Sequence, residues 1–334
     1  MNQFLIQHHQ AQSFCCNLFY SEASIMNTKA TNSESTQTRS GRPARLSLAD
    51  WMPKIVMAPT MIITLVCMYG YMIWTAILSF TNSRMLPSYN FVGFDQYERL
   101  FNNDRWIVAL TNLGVFGGLF IAICLFLGVV LAIFLDQKIR AEGAIRTIYL
   151  YPMAISFIVT GTAWKWLLNP TNGIEKMMID LGFENFKFNW LSDPDMVIYC
   201  LVIAAVWQAS GFVMALFLAG LRGVDGDLIK AAHLDGANTF TTYRRIILPS
   251  LKPVFFSALV ILSHIAIKSF DLVAALTNGG PGYSSDLPAN FMYAHTFTRS
   301  QVGLGSASAM VMLGCVLAIL IPYLYSELRG ERHE

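Results

Sequence analysis

The chain has 334 residues, of which 54% are hydrophobic and only 13% are charged, and its mean hydropathy is +0.47. Soluble domains carry about 25% charged residues, so this composition excludes an ordinary soluble protein and indicates a polytopic membrane protein. The net charge of +2 gives no reason to expect a nucleic-acid partner. Among the six cysteines, Cys15-Cys16 has no second pair with which to form a metal site. Neither a disulfide framework nor a metal centre is predicted.

The first 50 residues are polar and rich in Ser, Thr, Gln and Asn. They lack a basic stretch followed by an apolar one, so they do not have the pattern of a cleaved signal peptide. We expect residues 1–50 to form a disordered tail and residues 51–330 to form a transmembrane domain.

Six apolar runs are each long enough to cross a bilayer, which requires roughly 20 residues. They cover residues 55–80, 107–135, 145–168, 196–221, 254–276 and 302–325. Pro152 predicts a kink within the third run, because proline removes a helical hydrogen bond. The predicted fold is therefore an all-α integral membrane protein with six transmembrane helices.

The distribution of Lys and Arg predicts the orientation of these spans. With six spans, both termini, the 136–144 turn and the 222–253 segment lie on one side, which carries 15 of the 23 Lys and Arg residues. The opposite loops, 81–106, 169–195 and 277–301, carry six. Because positive loops stay in the cytoplasm, we expect both termini and the 222–253 segment to be cytoplasmic.

The 222–253 segment is polar and basic and lies between two apolar runs. Its pattern predicts one helix over 227–234, a turn at Asp235-Gly236 and a second helix that Asn238 caps. From the pattern alone, two interpretations stay open. The helix pair either fits a groove of another protein or lies flat on the membrane surface as an amphipathic elbow.

This segment resembles the "EAA" loop of binding-protein-dependent ABC importer permeases. That signature is Glu-Ala-Ala, two residues, Asp-Gly-Ala and, further on, Ile-x-Leu-Pro. The residues that match it are Lys230, Ala231, Ala232, Asp235, Gly236, Ala237, Ile246, Leu248 and Pro249. Lys230 departs from the signature, since it stands where the signature has Glu. We expect Pro249 to end the second helix.

The resemblance covers about residues 50–330 and implies the type I ABC importer permease fold, with 222–253 as the coupling loop. It implies import of a sugar, and residues 267–282 look most like glucose and mannose permeases. The implied partners are a second permease subunit in a heterodimer, two ATPase subunits at the cytoplasmic face and an extracytoplasmic sugar-binding protein. The implied location is the bacterial inner membrane, surrounded by lipid.

No catalytic constellation is present in the sequence. GxxxxGK[ST], HExxH, CxxC and GxSxG patterns are all missing. We therefore expect the chain to be no enzyme and to hold no cofactor. The resemblance implies that ATP is hydrolysed by separate subunits.

Three ionisable residues in the fifth run are candidates for the substrate path. Lys268 and Asp271 are three residues apart, so they are predicted to pair on one helical face, with His264 one turn earlier. Ionisable groups inside a membrane span are costly and point to a cavity. The alternative is a structural ion pair near the outer interface.

Polar and aromatic residues elsewhere add to this candidate path. Flat faces on which a pyranose could stack are offered by Trp164, Trp166 and Trp207, and Gln208 and Asn278 could bind its hydroxyls. Trp164 and Trp166 lie near the end of the third run, where tryptophan is typical of an interfacial anchor.

Two other function classes remain open at this level. One is a secondary sugar transporter driven by an ion gradient, which would need acidic residues at mid-membrane, whereas the chain offers only Asp271 near a span end. The other is a membrane scaffold that transports nothing.

Overall fold

The structure is a computed structural model that describes residues 48–86, 88–137, 140–183 and 185–330. Of the predicted N-terminal tail, residues 1–47 lie outside the described part, and residues 48–50 already belong to the first helix. The described residues divide into two units, one that ends at Ile63 and one that begins at Thr64, and every side-chain contact discussed below lies within the second.

The described residues form helices joined by loops. In chain order the helices are α1 Leu48–Ser79, α2 Asp95–Phe101, α3 Asp104–Asp136, α4 Glu142–Leu150, α5 Phe157–Leu167, α6 Ile174–Asp180, α7 Val197–Arg222, α8 Gly226–Leu234, α9 Thr239–Ser250, α10 Lys252–Ile267, α11 Asp271–Leu276, α12 Pro288–Tyr293 and α13 Val302–Gly330. Tighter or wider turns occur at Tyr151–Ala154 (3₁₀), Tyr243–Ile247 (π) and Ala294–Thr298 (π).

Within the described residues, four helices are long and apolar enough to cross a membrane. Two further spans result when the bent pairs α4–α5 and α9–α10 each count as one, which gives six. The prediction of an all-α protein with six membrane spans is therefore confirmed.

Helix α7 lies at the centre of the bundle. In the apolar 18-residue segment of α7, 72% of the residues are buried, whereas 28% are buried in the corresponding segments of α3 and α13. Its main partner is α3, which buries Phe116, Phe120 and Cys124 in the same core as Phe217 of α7. Because lipid is as apolar as these side chains, close van der Waals packing is what holds the helices together.

The third span is broken rather than kinked. Pro152 lies in the 3₁₀ turn after α4, and α5 starts anew at Phe157 with its axis turned by 100°. Ser156 caps the new helix by accepting a hydrogen bond from the backbone N–H of Val159 at 3.4 Å. The sequence predicted the position of this irregularity but not the angle between the two helices. The angle is large because Ser156 caps a new helix that runs in a different direction.

The predicted pairing of Lys268 and Asp271 is wrong. Helix α10 ends at Ile267, and the N–H of Phe270 donates to the carbonyl of Lys268 at 2.8 Å, which turns the chain before α11 begins at Asp271. Both side chains are exposed, and no ion pair joins them. The helical spacing that would align the two charges is therefore interrupted between them.

Candidate functional site

The coupling loop folds as the two short helices α8 and α9 joined at a glycine turn. Gly236 has a φ of +79°, a left-handed conformation that glycine adopts without a steric penalty. The N–H of Ala237 donates to the carbonyl of Ala232 at 3.0 Å, which closes the end of α8. Asn238 then caps α9 by accepting from the N–H of Thr241 at 2.8 Å. The predicted turn and N-cap are both confirmed.

The loop buries one side and exposes the other. Ala232 and Ile247 are buried, and Ile247 belongs to the main core. The exposed side carries large apolar side chains, namely Leu228, Leu234 and Phe240. Exposed apolar patches of this kind are typical of a surface that another protein or the membrane covers.

The remaining signature residues are placed on the same short stretch of chain. Ala231, Asp235, Gly236 and Pro249 are exposed, and Ala237, Ile246 and Leu248 are half-buried. Lys230, in the place of the signature Glu, forms an exposed ion pair with Asp227 at 2.8 Å. An exposed pair of this kind contributes at most about 1 kcal/mol.

Pro249 does not end α9, contrary to the prediction. A π turn precedes it, the helix continues to Ser250, and the chain then bends by 61° into α10. Pro249 lies one residue before the end of α9, so its missing N–H interrupts the helical hydrogen bonds only where the chain is about to bend.

A hydrogen-bond network joins the coupling loop to the end of α3. The hydroxyl of Tyr243 in α9 donates to the Asp136 carboxylate at 3.3 Å, and Gln137 donates to the same hydroxyl at 3.3 Å. Asp136 is the last residue of α3. These hydrogen bonds attach α9 to a helix of the central bundle.

A second candidate site is an apolar groove beside the break in the third span. It has a volume of about 450 Å³, and we call it the Trp groove. It is lined by Ile155, Val159, Thr160, Ala163, Trp164, Leu167 and Trp207. The rings of Trp164 and Trp207 meet edge to face with centroids 6.0 Å apart. Trp166 lies outside the groove and is 72% exposed.

Gln208 lies directly behind this groove. Its Nε2 donates to the carbonyl of Ile155 at 2.6 Å, and the residue is only 4% exposed. The Oε1 of Gln208 and the hydroxyl of Thr160 are buried without a hydrogen-bond partner among the described residues. Thr160 was missed in the sequence because a single threonine in an apolar run gives no signal of its own.

The other predicted path residues do not line the Trp groove. His264 is exposed and lines a separate apolar cavity of about 270 Å³ between α10 and α13. Lys268 and Asp271 are exposed at the break between α10 and α11. Asn278 is exposed, and its N–H donates to the carbonyl of Val273 at 2.7 Å. The predicted set is therefore spread over more than one place.

The loop after α11 is fixed to the start of α3 by a buried ion pair. Arg105 Nε donates to Asp286 Oδ2 at 2.6 Å, and its guanidinium lies 4.4 Å from the centre of the Tyr283 ring. Asn112 adds a hydrogen bond to the carbonyl of Asp286 at 3.0 Å. Burial raises the pKa of Asp286 above its usual value, and Arg105 opposes that shift.

The chain is similar to known transport proteins over most of its length. Residues 124–328 match the family described as binding-protein-dependent transport system inner membrane component. A probable ABC transporter permease protein of Pyrococcus horikoshii is 38% identical over 284 residues, which are 84% of this chain and 97% of that protein.

Two further relatives carry the names of sugars. A xylose/arabinose import permease protein of Haloferax volcanii is 35% identical, over 78% of this chain and 83% of its own length. A trehalose/maltose transport system permease protein of Thermococcus litoralis is 31% identical, over 72% and 80%.

A solved structure shares the fold. The crystal structure of a bacterial ABC transporter involved in the import of the acidic polysaccharide alginate contains a chain that aligns with a TM-score of 0.74 at 22% identity. The alignment covers 84% of this chain and 96% of that one. The relatives above are all described as permease proteins, which supports the expectation that the chain is a transport subunit and not an enzyme. The chain therefore belongs to the binding-protein-dependent ABC transport family, as one of its multi-pass inner membrane permease components with the type I importer fold.

Proposed function

We propose that this chain is the permease subunit of an ABC importer for a monosaccharide such as glucose or mannose, and that the Trp groove binds the sugar in transit. The observation that carries the proposal is the meeting of Trp164 and Trp207 beside the unpartnered hydroxyl of Thr160. An indole ring can cover the apolar face of a sugar, while a buried hydroxyl gains from bonding one of its oxygens.

The size of the groove and the nature of the relatives support this proposal. Its volume of about 450 Å³ lies within the usual range for small-molecule sites. Two relatives are named for sugars, one of them for the monosaccharides xylose and arabinose. The likeness of residues 267–282 to glucose and mannose permeases is what narrows the proposal to a hexose.

The coupling loop is the proposed contact surface for the ATPase subunits. Its exposed apolar side chains, Leu228, Leu234 and Phe240, would be covered by the ATPase, while Ile247 and Tyr243 hold α9 to the bundle. The charge asymmetry between the two sides supports a cytoplasmic location of this loop and of both termini. A second permease subunit would complete the pore, and an extracytoplasmic sugar-binding protein would deliver the sugar.

In this proposal transport is a rigid-body event. Closure of the ATPase dimer would displace α8 and α9, and the bundle would tip between inward and outward access. Contacts with the sugar outside the Trp groove, after the pore opens, would come from the other candidate path residues, His264, Lys268, Asp271 and Asn278.

Uptake into proteoliposomes that contain the complete transporter tests the proposal. Radiolabelled glucose should enter only with ATP, and unlabelled mannose should compete with it. Trp207→Ala should lower the initial rate at least about tenfold, the effect of roughly 1.4 kcal/mol of lost binding. Trp166→Ala removes an indole outside the groove and should leave the rate close to wild type.

Two outcomes would overturn the proposal. Equal rates for the two variants would exclude the Trp groove from the path. Uptake that persists without the ATPase subunits and stops when an ionophore collapses the ion gradient would show a secondary transporter.

A further inference from the structure

A polar pocket of about 240 Å³ lies where α2, the start of α3 and the start of α13 meet the chain that follows α1. We call it the arginine pocket. Its polar lining includes Asn82, Arg84, Gln96, Arg99, Asn103 and Gln301. Both arginines are exposed, and neither forms an ion pair with a carboxylate among the described residues. The lining itself contains two arginines and no Asp or Glu; the nearest acidic residues in the chain, Asp95, Glu98 and Asp104, are exposed outside it.

Three of the four side-chain amide oxygens that line this pocket already accept a hydrogen bond, the exception being Gln96 Oε1. Asn82 Oδ1 accepts from Gln96 Nε2 at 3.3 Å, and Asn103 Oδ1 accepts from the N–H of Arg105 at 3.0 Å. Gln301 Oε1 accepts from His295 Nδ1 at 2.8 Å. The amide NH₂ groups of Asn82, Asn103 and Gln301 have no acceptor in the described structure. The pocket therefore presents two guanidinium groups and three amide donors, which is the chemistry that binds an oxyanion.

The position of the pocket along the chain sets its depth in the membrane. Asn82 and Arg84 lie within five residues of the end of the span that closes at Ser79. Asn103 directly precedes the span that starts at Asp104, and Gln301 directly precedes the span that starts at Val302. These three span ends lie on the same membrane side, and Gly303 N–H donates to the carbonyl of Ser83 at 2.9 Å. The pocket is thus level with the ends of the hydrocarbon core, where lipid headgroups lie.

The surface beside the pocket is unusually apolar for a loop. Leu86 is 83% exposed and Phe91 is 76% exposed, and Met85 and Phe94 are exposed next to them. Exposed aromatic and aliphatic side chains next to basic ones are typical of a segment that lies in the membrane interface.

We propose that the arginine pocket is a binding site for the phosphate of an anionic phospholipid. The pocket supplies donors to the phosphate oxygens, while the exposed side chains of Met85, Leu86, Phe91 and Phe94 contact the acyl region. Free phosphate would satisfy the donors equally well, but it would leave this apolar surface uncovered. An acidic side chain of a docking protein would be expected to reach loop tips, whereas the pocket lies at the span ends.

Equilibrium binding of labelled short-chain phosphatidylglycerol to the full chain, purified in a non-ionic detergent, tests this site. Each basic residue near an anionic headgroup contributes about 1 kcal/mol, or about fivefold in Kd. Arg84→Gln and Arg99→Gln should therefore each raise the Kd about fivefold, and the double variant should raise it about 25-fold. Arg84 and Arg99 are exposed, so each single variant is expected to fold. Their Kd values therefore test the site even if the double variant does not fold.

The matched control is the double variant Lys176→Gln/Lys187→Gln, which removes two exposed positive charges from another loop. It should keep the wild-type Kd, and short-chain diacylglycerol without phosphate should not compete. Wild-type affinity in both single arginine variants would overturn the proposal. Full competition by inorganic phosphate at the same concentration would identify a free-phosphate site instead. Unchanged lipid affinity together with weaker binding of an acidic partner protein would identify a protein docking site, and would also overturn the proposal.

Discussion

The side-chain amide of Gln208 donates to the backbone carbonyl of Ile155 at 2.6 Å, across the gap between α7 and the break in the third span. A helix that ends inside a membrane leaves carbonyl oxygens without partners, and bilayer lipid cannot satisfy them. Gln208 supplies the missing donor to one of them. A glutamine in the middle of an apolar helix is thus explained by a carbonyl more than 50 residues away in the chain.

Replacing Gln208 by leucine should destabilise the protein. Gln208→Leu keeps an apolar side chain of similar size and leaves the Ile155 carbonyl buried without a donor, which costs about 1–3 kcal/mol. The thermal midpoint in detergent should fall measurably. Asn189→Leu, at an exposed amide, should stay within about 0.5 kcal/mol of wild type. Equal midpoints for both variants would show that the hydrogen bond does not support the broken span.

The coupling loop contains a matched pair of glycines, Gly236 in the turn between α8 and α9 and Gly226 at the start of α8. A Cβ added at Gly236 or at Gly226 would meet no atom within 4 Å, but only Gly236 has a positive φ. Alanine in a left-handed conformation costs about 1–2 kcal/mol. We expect Gly236→Ala to lower ATP-dependent uptake about fivefold or more, and Gly226→Ala to leave it unchanged. Similar uptake by the two variants would mean that the angle of this turn does not matter for coupling.

The hydroxyl of Tyr243 is expected to transmit movement from α9 to α3. Tyr243→Phe keeps the ring and removes both hydrogen bonds to Asp136 and Gln137. We expect the amount of sugar imported per ATP hydrolysed to fall about fivefold, since a hydrogen bond contributes roughly 1 kcal/mol. Tyr89→Phe, at an exposed loop residue, is the control. An unchanged ratio in Tyr243→Phe would place the transmission elsewhere.

His295 should make stability depend on pH. It is buried outside the candidate spans; its Nδ1–H donates to Gln301 at 2.8 Å, and Nε2 accepts from Arg299 at 3.3 Å, so the ring is neutral. Burial lowers the pKa of His295 below its usual value of 6.5. Between the pKa of His295 in the folded chain and its higher pKa in the unfolded chain, the unfolded chain binds more protons. The free energy of unfolding therefore falls as pH drops below 6.5.

Thermal midpoints at several pH values check this expectation. Between about pH 7.5 and 8.5 the wild type and His295→Gln should show the same dependence on pH. Between about pH 6.5 and 5.5 the wild type should lose more stability than the variant. Parallel curves throughout would show that His295 does not titrate with folding.

Local chemistry made part of this architecture predictable. The glycine turn at Gly236 and the cap at Asn238 depend on residues within a few positions, so the sequence located them correctly. The six spans were also predictable, because the hydropathy of each run depends only on residues that are adjacent in the chain. The break after Ile267 was not predicted: the polar residues Lys268, Ser269 and Asp271 mark it in the sequence, but their spacing also fits one continuous helical face.

Contacts between distant segments were beyond the reach of sequence patterns. Arg105 and Asp286 form a buried ion pair although they are 181 residues apart. The ring of Trp164 meets that of Trp207 only because α5 restarts at an angle of 100°. The predicted substrate path included Trp207, while its partners in the Trp groove came from the tertiary fold.

The central claim is that α8 and α9 form the surface on which an ATPase subunit acts. Phe240 in α9 and Phe91 in the loop after α1 are similarly exposed, at 71% and 76%. A photocrosslinking amino acid at position 240 should capture the ATPase subunit in membranes that contain the whole transporter, and the same probe at position 91 should not. Capture of the ATPase from position 91, or its absence at position 240, would contradict the account.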